Sequence, residues 1–134
     1  MPSIRGETAE HYRNELKLAR KIHDFKLMTS KILENCPRDK KKSKYNILNR
    51  LDDFEYSIQI LNSANYYGFK KLIIETLPKA RAKLDIIDMD IYDLKTEYNI
   101  VTDKQFKKIL DNYADIRNLF EAWTKYLLEK LKKG

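Results

Sequence analysis

The sequence predicts an all-α fold: an antiparallel up-down four-helix bundle, one domain over residues 1–134. Three observations predict it. The 134 residues include only 3 Gly and 3 Pro, too few turn-formers for an all-β chain. Apolar residues step by three and four through four long segments, the spacing of one buried helix face. The segments are joined by short connections, which set consecutive helices side by side and antiparallel. No period-two alternation persists anywhere.

Residues 1–6 and 130–134 are expected to fray. The first helix is predicted from about Glu7 to Glu34. Leu18, Ile22, Phe25 and Ile32 line one side, with Ala19 and Leu33 alongside, while Arg13, Lys17, Arg20 and Lys31 form a cationic stripe opposite. Pro37 ends it, because the residue before a proline is pushed out of the α region. Residues 36–44 read Cys-Pro-Arg-Asp-Lys-Lys-Lys-Ser-Lys, with five cations at positions 38–44. Charges this dense are either solvated or bound to an anion.

The second helix is predicted from about Lys41 to Tyr66, on a seam of Leu48, Leu51, Phe54, Ile58 and Leu61, with Ile47 flanking and Asn65 making one end polar. Tyr67-Gly68 is its stop. The third runs from about Phe69 to Tyr98 on Leu77, Ala80, Leu84, Ile87, Ile91, Leu94 and Tyr98. Pro78 lies inside it and is expected either to kink it or to split off Phe69–Thr76. Asn99 closes this helix. The fourth is the most strongly marked. Thr102 and Gln105 are spaced as a capping box, and two sevenfold series, Phe106/Tyr113/Phe120/Leu127 and Ile109/Ile116/Trp123, interleave into one aromatic seam.

Net charge is +7, and residues 1–50 hold 13 Lys+Arg against 6 Asp+Glu. The excess is therefore confined to the first helix and the connection after it, which favours a polyanionic partner, RNA or DNA. Candidate phosphate contacts are Arg13, Lys17 and Arg20 on the first helix, Arg38, Lys40, Lys41, Lys42 and Lys44 after it, and Lys79, Arg81 and Lys83 on the third. The third group would extend one positive surface if packed beside the second. Tyr45, amid Lys44 and Arg50, is the ring best placed to stack on a base. No apolar run approaches the roughly 20 residues of a membrane span, so no membrane association is expected. The absence of an apolar leader and the single Cys36 point to the cytoplasm.

Nothing catalytic is assembled. There is no Gly-rich phosphate loop. His11 and His23 stand about 18 Å apart on one helix, too far to share a metal. Asp85, Asp88, Asp90, Asp93 and Glu97 lie off the seam with no histidine beside them. They read as a solvated acidic face, or as a dock for the cationic stripe of another subunit. Cys36 lacks a base nearby and reads as inert. No enzyme activity, metal or cofactor is expected.

Several short stretches recur together in one family. These are Cys36-Pro37-Arg38 followed by a basic run, Leu48-Asn49-Arg50-Leu51, Leu61-Asn62-Ser63-Ala64-Asn65, Leu77-Pro78-Lys79-Ala80 through Leu84-Asp85, Thr102-Asp103-Lys104-Gln105-Phe106, and Trp123-Thr124-Lys125. In their order and spacing the chain resembles the four-helix-bundle family that includes Avd, the accessory variability determinant of diversity-generating retroelements, and the proteins encoded by intervening sequences of bacterial 23S rRNA genes. The chain differs in carrying Asp88, Asp90 and Asp93 where the family often has arginines. The resemblance implies a homopentamer that partners a reverse transcriptase and binds template RNA and cDNA. The alternative within the family is a structural or interaction protein of the intervening-sequence type.

Overall fold

The structure, a computed structural model, describes residues 9–133, with side chains described from Lys17 onward. The expected fraying of 1–6 and the fate of Gly134 lie outside the described residues. Among those described there are four helices and no strand: α1 (Ala9–Ile32), α2 (Lys41–Tyr67), α3 (Lys70–Thr96) and α4 (Asp103–Lys133). They form a four-helix bundle. α2 packs most closely on α3, and α1 on α4, with α4 also against α3 and α1 against α2.

Each boundary has a local cause. Pro37 adopts φ −53° and ψ 145°, an extended entry that stops α1 from propagating. A single 3-10 turn, Arg38–Lys40, then leads directly into α2. The basic run is therefore not a free loop: Lys41, Lys42 and Lys44 belong to the opening turns of α2. Lysine is a good helix former, so a lysine run need not unwind the chain. At the other end, Gly68 sits at φ 73°. Its N–H reaches the Asn65 carbonyl at 3.3 Å, and that of Phe69 reaches Ala64 at 2.8 Å. This pair of bonds around a left-handed glycine is a Schellman stop.

α3 is continuous through Pro78, so Phe69–Thr76 does not form a separate helix. The helix ends at Thr96 with Glu97 as its C-cap, short of the expected stop at Asn99. Asn99 follows in the connection with a φ of 50°, which a short amide side chain tolerates. Thr102 and Gln105 close the expected box, Thr102 N–H to Gln105 Oε1 at 2.9 Å and Gln105 N–H to Thr102 Oγ1 at 3.1 Å. α4 then continues to Lys133, where a frayed tail was expected. Lys130 donates to the buried Asn65 side chain at 2.9 Å, and Leu131 packs against the core.

The seams meet in one core, with Phe54 and Phe120 edge-on at 5.6 Å between centroids. Tyr113, buried at its centre, donates to the Leu84 carbonyl at 2.8 Å and accepts from Arg117 at 3.0 Å. Burial raises the Tyr113 pKa, an effect Arg117 partly offsets. Several seam assignments differ in detail, Ile32 for one being only half-buried while Leu33 takes the core position. Ala19 is exposed, and Thr29 fills the core position between Phe25 and Leu33. Ile47 is fully buried and Leu48 only half-buried. A three-four repeat leaves the flanking positions ambiguous, and packing resolves them.

Candidate nucleic-acid interface

The start of α2 concentrates cations that no described residue neutralises. Arg38, Lys41 and Lys42 are exposed and Lys44 is half-buried. None of the four has an ion-pair or hydrogen-bond partner among the described residues. Tyr45, 55% exposed, follows Lys41 by one helical turn. It is one of three exposed tyrosines spaced eleven apart along α2, with Tyr56 and Tyr67. Eleven residues are about three turns, so all three share one line of the helix. Asp52 and Asp53 lie beside the middle ring and Tyr67 stacks on Phe69, whereas Tyr45 lies beside the cations that open α2.

Lys40 has a different job. Its Nζ donates to the Tyr98 carbonyl at 2.5 Å. This clamps the 3-10 turn to the connection between α3 and α4 and removes Lys40 from the free cations. It also shows that the α1–α2 and α3–α4 connections share one end of the bundle.

The third group does not join this surface. Lys79 is exposed, but Arg81 pairs with Glu121 at 2.5 Å and lies 5.7 Å from the Phe120 ring centroid. Lys83 donates to Ser57 Oγ at 2.8 Å. Ser57 is sixteen residues into α2, about 24 Å along the axis from Lys41. The expected continuous surface is therefore split, and Arg81 and Lys83 serve packing between helices.

On α1, Lys17 and Arg20 are exposed, while the side chain of Arg13 and that of His11 lie outside the described residues. Lys17, Arg20 and Lys21 line a groove against α4 of about 440 Å³, but Asp24 and Asp115 line it too, and Lys21 bridges Asp115 at 3.5 Å. Further along, Lys26 contacts Asp52 at 2.5 Å and Glu55 at 3.1 Å. The Asp52 contact does most to raise its pKa, against an opposing effect of burial.

The acids of α3 are not simply solvated. Arg50 of α2 pairs with Asp90 and Arg117 of α4 with Asp85, the latter at 2.9 Å. Burial of Asp90 pushes its carboxyl above the usual carboxylate range, and Arg50 only partly offsets this. These two carboxylates fasten α3 to its neighbours, which leaves less of the face for another subunit. Among the described residues no group of three or more His, Cys, Asp or Glu could hold a metal ion, and no helix is long and apolar enough to cross a membrane.

One cationic site escaped the sequence reading. A second groove of about 440 Å³ between α1 and α4 is bordered by Lys31, Lys104 and Lys108. The four-residue spacing of Lys104 and Lys108 was visible, but nothing in one dimension brings Lys31 of another helix to face them.

Searches among family models, curated proteins and solved structures each returned no match for this chain.

Proposed function

We propose that this protein is a non-enzymatic, basic bundle that binds RNA or DNA through phosphates. In this reading its helices run antiparallel, up and down, and it acts in the cytoplasm as a homopentameric accessory to a reverse transcriptase of a diversity-generating retroelement. The observation that carries the binding reading is the set Arg38, Lys41, Lys42 and Lys44, unneutralised among the described residues beside an exposed Tyr45. Unpaired cations confined to one end are what a polyanion requires. The reverse transcriptase and the fivefold assembly rest on the family resemblance alone. Self-association has one further support: α3 turns Ile86 and Met89, the latter 66% exposed, toward solvent.

The test is fluorescence anisotropy of a labelled single-stranded oligonucleotide across a salt series. Each phosphate contact contributes a slope of roughly −0.7 in log affinity against log salt. The variant Arg38→Gln/Lys41→Gln/Lys42→Gln should bind every sequence more weakly and flatten the slope by about 2. Its circular dichroism should match the wild type, since the three side chains are exposed. A folded variant with wild-type affinity and slope would return this run to a merely solvated charge cluster.

A further inference from the structure

The groove between the end of α1 and the first turns of α4 differs from the groove lined by Lys17, Arg20 and Lys21, which carboxylates share. Its floor is apolar, made by Met28 and Ile32, both half-buried. Its polar rim is almost entirely donor. Lys31, Lys104 and Lys108 are exposed and have no partner among the described residues. Gln105 Oε1 is already committed to the Thr102 N–H, so this side chain offers the groove only its amide N–H groups. No carboxylate lines it. Asp103, next to Lys104, is paired with Lys95 at 2.7 Å and does not line the groove.

A rim of three lysines and the Gln105 and Asn35 amides over an apolar floor selects a ligand with an anionic, acceptor-rich part and a flat apolar part. A bare inorganic anion would use the rim and leave the floor empty. The volume of about 440 Å³ is within the range of small-molecule sites and suits one nucleotide. The groove also lies at the same end of the bundle as the α2 cations. Lys40 ties that turn to Tyr98, only a few residues before the Thr102 cap.

We infer that this groove is a subsite for one unpaired nucleotide of a nucleic-acid strand, phosphate on Lys31, Lys104 and Lys108, base over Met28 and Ile32. The inference rests on the nucleic-acid reading above and adds to it a preference for single strands, because a base held in a duplex cannot lie on the floor.

Two labelled probes test it: a single-stranded oligonucleotide and a duplex of the same length. The protein variants are Lys31→Gln/Lys104→Gln/Lys108→Gln and the charge-preserving triple Arg substitution, with circular dichroism as the folding control. If all three lysines are engaged, wild-type affinity for the single strand should fall about 18-fold further than the Gln variant's between 50 and 200 mM salt, from the slope of about −0.7 per contact. The Arg variant should retain the wild-type slope, and duplex binding should be little changed by either. Adenosine monophosphate or inorganic phosphate should not displace the strand at equal concentration. Equal weakening of strand and duplex would reduce the lysines to general phosphate contacts and overturn the subsite. Displacement by the free nucleotide or by phosphate would overturn the strand as its occupant. A Gln variant that binds the strand as the wild type does would overturn the groove and leave the α2 site standing. Failure of the wild type to bind either probe would overturn both readings.

Discussion

Trp123 is 1% exposed, and its indole N–H has no partner among the described residues. Its contribution is thus packing alone. Trp123→Ala should cost roughly 3–5 kcal/mol and lower Tm by about 10 °C or more. Trp123→Phe removes an unbonded donor along with some volume and should cost clearly less. Thermal melts showing equal losses would mean the N–H has a partner after all. Asp90 offers a pH test. One of its oxygens is buried without a partner, and burial raises its pKa in the folded chain. The folded state therefore holds the proton more tightly than the unfolded state. That stabilisation is fully present below the unfolded pKa and is lost as pH rises through the folded pKa. Asp90→Asn should accordingly leave Tm at pH 7 unchanged or higher, since Arg50 is 44% exposed and can be hydrated. The difference should close as pH falls toward about 4. A sharp loss at pH 7 would show that the Arg50 pair outweighs burial.

At the scale of elements, the ends of the helices were the most legible part of the chain. Gly68 and the Thr102/Gln105 box each act through their own backbone or that of near neighbours, so their meaning needs no tertiary information, whereas α3 stops at Thr96, before the expected Asn99. Thr102→Ala should cost about 1 kcal/mol. Gly68→Ala should cost about as much through left-handed strain alone, because a Cβ there meets nothing within 4 Å. Denaturant melts of the two variants check both. The seams were legible for the same reason of periodicity, down to the polar end at Asn65. Three things were not. Pro78 was readable as a perturbation but not as one that α3 absorbs, because that depends on packing along its length. The fates of Lys40, Arg81 and Lys83 depend on acceptors about 26 to 58 residues away, to which local patterning is blind. Lys130–Lys133 looked like a tail because its helix is held partly by Asn65 of α2.

For the molecule as a whole, the sequence correctly placed cations around the α1–α2 connection but merged groups that the fold separates. Net charge per segment says how much charge exists. It does not say which charges are already neutralised by a partner helix. The proposed assembly is the prediction that belongs here: light scattering at micromolar concentration should give about five times the 16.0 kDa chain mass. A species of 16.0 kDa would overturn it. Met89→Asp, on the exposed side of α3, should shift such an assembly toward smaller species while leaving the helical signal intact.

Cys36 is the only cysteine in the chain. It is half-exposed, its Sγ–H directed at the Pro37 carbonyl at 3.6 Å, and it lies between Asn35 at the rim of the α1–α4 groove and Arg38 at the start of the free cations. A maleimide dye would therefore attach at one known point, between the two surfaces proposed to bind nucleic acid, with no engineered thiol. Quenching of that dye would report occupancy of the cationic end directly, whereas a change in the mass of the particle would not disturb it unless that end were also the seam between copies.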